Sequence, residues 1–282
     1  MSIDTPQPAQ PDAPAGGRTI DLSIDLPVAP DVVWRALTDA ELLSRWFPLR
    51  ARVAPGAGGS VFLSWGPGCE GEAPITAWEP GRHLQVSEGQ GAAGLPMVVD
   101  YYLEGRAGAT VLRLVHSGFG ADSKWDDQYQ ATEGGWTYFL FNLRHYLTRH
   151  PGTPRDMVRD RRQPRRPRAE VWRTLLGAGG AYSPGDGAPS VGERFAFRLG
   201  AGEPPLEGTA AIVRPSSGHF AGVVEGLDDA LLFVELEGGA EESWHCGLWL
   251  STYGLPPERV RRLQEALTAR MDEVTGGEAV RR

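Results

Sequence analysis

The feature that most constrains the fold is a change in the spacing of apolar residues. From Gly58 to His116 the apolar residues form short runs that Gly and Pro turns separate. Regular short runs of this kind indicate the strands of an antiparallel sheet. From Trp136 through Thr148, apolar residues instead recur every three or four positions, which is typical of an amphipathic helix. The apolar stripe of that helix must be buried, and the sheet is the available partner. The pattern predicts an α+β domain whose sheet packs on a long C-terminal helix.

The same spacing places the individual elements. An alternating segment, Thr19–Leu26, predicts a first strand, and two short helical segments follow it, the second at Ala40–Phe47. Within the sheet, Val99, Tyr101 and Leu103 share one face of their strand. Further strands are predicted at Ser60–Trp65, Ile75–Trp78, His83–Ser87, Met97–Glu104 and Thr110–His116.

Bulk properties exclude several classes of protein. The formal net charge of −8 argues against nucleic-acid binding, because that function needs a surface that neutralises phosphates. No apolar run approaches the ~18 residues that span a bilayer, so no membrane insertion is predicted. Residues 1–17 are rich in Pro, Ala and Gln and lack a signal-peptide pattern, which predicts a disordered tail and a cytoplasmic protein.

No motif for a cofactor or a metal is present in the sequence. The chain has no phosphate-binding glycine loop and no HExxH, and its two cysteines, Cys69 and Cys246, are far apart. His219, His245 and Cys246 fit no standard metal spacing, and neighbours on a strand point to opposite faces. We therefore expect no cofactor, no metal and no disulfide framework.

Three segments carry a resemblance to a known family: VWRALTDAELLSRWF (Val33–Phe47), TVLRLVHSGFG (Thr110–Gly120) and EGGWTYFLFNLRHYL (Glu133–Leu147). They resemble the START-like (SRPBCC) superfamily, and within it the branch named after the activator of the heat-shock chaperone ATPase. The resemblance covers residues 18–150 in order. It implies a helix-grip fold, in which a curved antiparallel sheet wraps a long C-terminal helix and leaves a cavity. It implies no single chemistry, because the superfamily includes lipid carriers, cyclases and co-chaperones.

The second half of the chain repeats features of the first. Val171-Trp172-Arg173 repeats Val33-Trp34-Arg35 at an offset of 138 residues, and other matches follow in the same order at nearby offsets: Gly192 with Gly59, Phe195 with Phe62, Ile212 with Ile75 and Gly218 with Gly81. A near-constant offset indicates duplication. Chance matches in a glycine-rich sequence and an unrelated β-rich extension are the alternatives. We predict a degenerate second helix-grip-like domain at 169–276.

The connecting segment, 151–168, is rich in arginine. With its flanking residues it holds eight arginines against two aspartates, counted over Arg149–Arg168. Such a run favours either an anionic partner, a solvated linker or an Arg-rich edge strand. The acidic remainder of the chain disfavours a polyanion as that partner.

The candidate site consists mainly of aromatic residues from segments that meet in a helix grip. One hypothesis is a cavity for a hydrophobic or aromatic small molecule, and the alternative for the same residues is a filled core. The predicted ligand-binding residues are Trp46, Phe62, Tyr101, His116, Phe119, Trp125, Trp136, Phe139, Leu140 and Leu143.

Two further functions stay open. His116 and Tyr101 could act as a general acid–base pair in a cyclase- or aromatase-like enzyme, although the sequence places no third group to orient them. A chaperone-associated or other protein-interaction module, or a homodimer, is the third hypothesis. Asp122, Asp126, Asp127 and Glu133 surround Trp125 in a segment predicted to be a loop before the long helix.

Overall fold

The structure is a computed structural model that describes residues 17–94, 96–177, 181–182, 189–200, 202–238 and 244–276. The predicted N-terminal tail, 1–17, lies outside these residues except for Gly17. The first half runs through β1 (Gly17–Leu26), α1 (Pro30–Thr38), α2 (Ala40–Leu43), β2 (Arg50–Ala54), β3 (Ser60–Ser64), β4 (Glu70–Glu79), β5 (His83–Gln90), β6 (Pro96–Arg106), β7 (Ala109–Gly120) and α3 (Asp126–Arg149). The second half runs through β8 (Arg155–Arg162), α4 (Arg168–Leu176), β9 (Ala181–Tyr182), β10 (Arg194–Phe197), β11 (Leu206–Arg214), β12 (His219–Val224), β13 (Ala230–Glu237), β14 (His245–Tyr253) and α5 (Pro257–Thr275).

The two halves share one sheet topology. Within the described residues, the first sheet has seven strands in the order β1-β7-β6-β5-β4-β3-β2, and the second has seven in the order β8-β14-β13-β12-β11-β10-β9. Every pairing is antiparallel, and each half ends in its longest helix. The predicted fold class, α+β helix grip in two copies, is confirmed. Among the described helices, none is long and apolar enough to cross a membrane.

The long helix α3 begins ten residues before the predicted start. It starts at Asp126, so Asp126, Asp127 and Glu133 lie on the helix, and the predicted loop ahead of Trp136 is wrong for these three residues. Consecutive glycines at 134 and 135 lower helix propensity, which is why the sequence pattern indicated a break there. The structure explains why residue 134 is a glycine, because a Cβ at this position would lie 2.3 Å from the His219 ring.

Helix α3 is buried on two opposite sides. Trp136, Leu140 and Leu143 face the first sheet and belong to its core. Tyr138 faces away from that sheet and forms a small cluster with Phe233, whose ring it stacks on at 3.7 Å between centroids. The outer face of the second sheet therefore packs against the outer side of the first domain's helix.

Backbone hydrogen bonds give the correspondence between the halves. Gly58 N–H donates to the carbonyl of Ile75 at 2.9 Å, and Gly192 N–H donates to the carbonyl of Ala210 at 2.8 Å. Gly192 thus corresponds to Gly58, not to the Gly59 that the sequence match paired with it. The same shift aligns Phe195 with the inward-facing Val61 instead of Phe62. The sequence match paired identical residues, but it did not consider which face of the strand each side chain occupies.

The Arg-rich segment contributes an edge strand. Strand β8 pairs only with β14 in the described sheet, and its side chains alternate between two faces. Val158 points into the second core, whereas Arg155, Met157, Arg159 and Arg161 lie on the opposite face, towards the first domain. Of the three alternatives for this segment, the geometry matches the edge strand.

Candidate ligand-binding site

The first domain contains a cavity of about 450 Å³. Helices α1 and α2 close one side of it through Leu37 and Leu43, and strands β3 to β6 form the other side. The volume lies in the range of small-molecule sites, about 300–1,000 Å³. Apolar lining dominates, and the polar side chains in the walls include Glu70 and Glu72 on β4 and, on two neighbouring strands, Glu88 and Tyr101. This arrangement can enclose an apolar body and orient it by one or two hydrogen bonds.

The long helix does not line this cavity, which differs from the sequence-based expectation. An aromatic cluster takes the space beside it. Phe47 contacts Trp136 at 5.3 Å and Phe139 at 4.6 Å between ring centroids, and Trp65 lies 5.1 Å from Phe47. Aromatic rings at these separations attract each other in stacked and edge-to-face pairs. The cluster therefore fills the interior next to α3 and moves the open volume towards α1 and α2.

Tyr101 presents an unsatisfied hydroxyl to the cavity. The residue is 7% exposed and lines the cavity from β6. Within the described part of the chain, no group forms a hydrogen bond with its hydroxyl. Burial, with a smaller contribution from the charge of Glu88, raises the pKa of Tyr101 well above its ordinary value, so the hydroxyl keeps its proton. The hydroxyl therefore stands in the cavity wall as a donor for a ligand acceptor.

His116 is held in one tautomer by Trp136. The Trp136 indole Nε1–H donates to His116 Nδ1 at 3.0 Å, so the second ring nitrogen, Nε2, carries the proton of the neutral ring. Burial lowers the pKa of His116 to about 4, which keeps the ring neutral. Nε2 is buried and has no hydrogen-bond partner in the part of the chain that the structure describes, and the carboxylate oxygen Glu88 Oε2 lies 3.7 Å away.

Glu88 is a polar cavity-lining residue that the sequence reasoning missed. It lines the cavity, and 36% of its side chain is exposed. Burial raises the pKa of Glu88 above its ordinary value. A signal was present, because Leu84, Val86 and Glu88 alternate on one face of β5 and the first two are buried. A carboxylate that continues an inward apolar face points to a site.

The other predicted ligand-binding residues divide into three groups. Trp46, Leu140 and Leu143 are buried in the first core, where the Trp46 indole donates to the Ala36 carbonyl at 2.9 Å. Phe119 and Trp125 lie beyond His116 and contact each other, with 6.4 Å between their ring centroids. Phe62 lies on the outer face of β3, with the Arg52 guanidinium 3.8 Å from its ring centre, so it does not reach the cavity.

A second, larger cavity separates the two domains. Its volume is about 570 Å³, and its walls come from α3, the β3–β4 turn, β8 and the outer face of β12 to β14. Phe47, Trp65 and Cys69 line both cavities, so the two volumes lie back to back. Phe139, a predicted ligand-binding residue, lines this interdomain cavity.

The described residues include no group of three or more His, Cys, Asp or Glu side chains arranged to hold a metal ion. Cys246 is buried in the second core, whereas His219 faces α3. The candidate metal set of the sequence is therefore divided between two environments.

The fold and cavity define an α+β helix-grip protein with a mainly apolar site. Residues 27–148 match the sequence model of the family described as activator of Hsp90 ATPase homolog 1-like protein. The family resemblance of the first domain is thereby confirmed. No curated protein matches the chain.

Solved structures are similar to one domain or to nearly the whole chain. Protein MLL2253 from Mesorhizobium loti is 26% identical and covers 47% of this chain and 98% of its own, with a TM-score of 0.42. The Aha1 dimer from Colwellia psychrerythraea is 19% identical over 48% of this chain and 99% of its own, at 0.43. DynU16, a protein from the dynemicin biosynthetic locus, is 21% identical over 92% of this chain and 96% of its own, at 0.40.

Proposed function

We propose that the first domain binds a small hydrophobic or aromatic molecule in its 450 Å³ cavity. The observation that carries this proposal is the Tyr101 hydroxyl, which lines an apolar cavity and lacks a hydrogen-bond partner among the described residues. A ligand with an apolar body and one acceptor satisfies that hydroxyl while it covers the apolar walls. Wild-type protein should therefore gain thermal stability with neutral aromatic or fatty compounds.

Neighbouring tyrosines provide a matched pair of variants. Tyr101 faces the cavity, whereas Tyr102 faces outward and stacks on His83 at 4.4 Å. We expect Tyr101→Phe to weaken binding of 2-naphthol about tenfold, since one hydrogen bond to a buried hydroxyl is lost. Tyr102→Phe should leave affinity unchanged. Ala73→Phe, which fills the cavity, should abolish binding. Equal affinity in all four proteins, or no ligand in native mass spectra and thermal-shift panels, would contradict the proposal.

A second candidate function, an enzyme, rests on Glu88 and Tyr101 in the cavity wall and on His116, whose Nε2 lies 3.7 Å from Glu88 Oε2. His116 Nε2–H can only donate, because its Nδ1 already accepts from Trp136. Glu88, with a raised pKa, is then the base that can take a proton from the carbon next to a ligand carbonyl. Tyr101 and His116 donate to the enolate oxygen that forms. This assignment gives Glu88 the role that the sequence hypothesis gave to His116.

Enolisation can be measured without knowing the natural substrate. Exchange of the α-protons of 1-tetralone into D₂O, followed by NMR, should be faster with wild-type protein than with Glu88→Gln or His116→Asn. A ketone that binds, by thermal shift, yet exchanges at the buffer rate would exclude this enzyme function and leave the binding function intact. The protein-interaction hypothesis stays a prediction, supported by the description of the matched family.

A further inference from the structure

The interdomain cavity contains arginines that no carboxylate neutralises. On the face of β8 that looks into it, Arg161 is paired with Glu237 at 2.7 Å. Arg155 and Arg159 have no carboxylate within ion-pair distance among the residues that the structure describes. Their guanidinium groups instead donate to backbone carbonyls of the first domain: Arg155 to those of Phe47 and Pro48, and Arg159 to that of Trp65 at 2.8 Å.

The acidic groups in the same walls do not cancel these charges. Asp160 forms its ion pair with Arg162, at 2.7 Å. Glu235 accepts a hydrogen bond from Trp249 Nε1 at 2.7 Å, and burial, followed by the charge of Glu237, raises its pKa, which favours the neutral carboxyl. The Glu237 carboxylate forms its ion pair with Arg161. The cavity therefore holds two guanidinium groups, those of Arg155 and Arg159, that form no ion pair with a described carboxylate, in a chain whose formal net charge is −8.

The remaining walls are flat and apolar. Trp65 and Phe139 form the side from the first domain, and Phe233 and Trp249 form the side from the second. The Arg159 guanidinium lies 5.5 Å from the centre of the Trp249 ring, so charge and aromatic surface are adjacent. A guanidinium binds a carboxylate through paired hydrogen bonds, and indole and phenyl faces favour a planar ligand.

We infer that the interdomain cavity is a second binding site, for a planar aromatic molecule that carries a carboxylate. The carboxylate binds between Arg155 and Arg159, and the ring lies between the aromatic walls of the two domains. This site is separate from the neutral ligand site of the first domain and does not depend on it. Because Arg155 and Arg159 already join β8 to the first domain, a bound carboxylate also links the domains.

A pair of probes tests the charge requirement. 2-Naphthoate and its methyl ester share a ring system and differ in charge. In wild-type protein the acid should bind more tightly than the ester by about tenfold or more, since charge-assisted hydrogen bonds are lost in the ester. Arg159→Gln and Arg155→Gln should remove most of that ratio, whereas Arg159→Lys should retain part of it. The control Arg52→Gln, on an exposed arginine of the first domain, should leave the ratio unchanged.

The ratio separates recognition from loss of structure, because a variant that merely loosens the domains weakens acid and ester alike. A ratio unaffected by either Gln variant would overturn the inference. Cavity-filling variants locate the site: Ala131→Trp should block 2-naphthoate and spare 2-naphthol, and Ala73→Phe should do the reverse.

A crystallographic measurement needs no variant. Crystals of the full chain soaked in 6-bromo-2-naphthoate should show a bromine anomalous peak between the aromatic walls near Arg159. A peak confined to the first domain's cavity would overturn the inference while supporting the proposed function.

Discussion

The indole Nε1 of Trp136 donates to Nδ1 of His116 at 3.0 Å, across the interface between α3 and β7. Trp136 is 5% exposed and His116 is 2% exposed, so water cannot replace this bond. The bond fixes which nitrogen of the imidazole carries the proton and aims that nitrogen, Nε2, at Glu88. The sequence reasoning placed both residues in one site as ligand contacts, but their relation to each other required the three-dimensional structure.

The first prediction removes this donor. Trp136→Phe should leave Nδ1 without a partner in the core, which costs about 1–3 kcal/mol of unfolding free energy beyond lost packing. Nitrogen-detected NMR of the His116 ring should show the Nε2–H tautomer in wild type and a mixture in the variant.

Trp244→Phe is the matched control for that experiment. Trp244 is 1% exposed, and its Nε1 has no hydrogen-bond partner among the described residues, so this change removes a donor that is unpaired there. Urea unfolding should therefore show a smaller loss than in Trp136→Phe. Equal losses of unfolding free energy in the two variants, with an unchanged His116 tautomer, would mean that the hydrogen bond from Trp136 does not orient the His116 ring.

The second prediction concerns the two adjacent glycines of α3. A Cβ on Gly134 would lie 2.3 Å from the His219 ring, which is 3% exposed and bonded to Ser217 at 2.9 Å, so it cannot move aside. We expect Gly134→Ala to cost about 1–3 kcal/mol through overpacking. A Cβ on Gly135 would meet nothing within 4 Å, so Gly135→Ala should stabilise the helix by about 0.5–1 kcal/mol. Thermal unfolding would contradict this account if the two variants shifted in the same direction.

The third prediction is a loss of stability in mild acid. His145 lies between the domains, where its Nε2 donates to the Asp229 carbonyl at 2.6 Å and burial lowers its pKa to about 4 from an ordinary 6.5. Below pH 6.5, His145 binds a proton in the unfolded chain but stays neutral in the folded protein. The unfolding free energy is thus fully present above that value and falls as the pH drops towards 4, by about 1.4 kcal/mol per pH unit for one such histidine. Urea midpoints at several pH values should fall less steeply in His145→Gln. Parallel curves for the two proteins would count against a neutral, buried His145.

The fourth prediction has the opposite sign. Burial, followed by the neighbouring Glu237, raises the pKa of Glu235 to about 8, so the folded protein holds a proton that the unfolded chain loses above its ordinary value of 4.5. Stability from this group is present below that value and is lost as the pH rises towards 8. Glu235→Gln keeps an acceptor for the Trp249 indole and removes this dependence. Its stability relative to wild type should increase from pH 5 to pH 8 in denaturant unfolding. A constant difference across that range would refute the raised pKa.

Local patterns predicted much of the fold, because the elements of the first domain follow from side chains that alternate or recur along the chain. In the second domain, the apolar run of β13 (Ala230–Glu237) and the buried stripe of α5, with Leu263 and Leu267, follow the same two patterns. Helix α3 was predicted too short, since its glycines lower helix propensity and are explained only by the approach of His219.

The site was less predictable than the fold. Residue type indicated that the aromatic residues are interior, which is wrong for Phe62 on the outer face of β3. It also could not tell which of the others pack together and which border open volume. Phe47 and Trp65 form the centre of the aromatic cluster and line both cavities, and neither was among the predicted site residues. Their role depends on how α2 and the β3–β4 turn meet α3, which no single segment specifies.

Burial of α3 on both sides has a consequence for biosynthesis. A nascent chain that has emerged only as far as His150 contains every strand of the first sheet, yet Tyr138 and Phe141 on its last helix have no covering surface. Phe233, which covers Tyr138, is synthesised more than eighty residues later. The first domain therefore leaves the ribosome with an exposed, aggregation-prone apolar surface on α3. Binding by holding chaperones, or rapid translation of the second half, would protect this surface until the second sheet is synthesised and covers it.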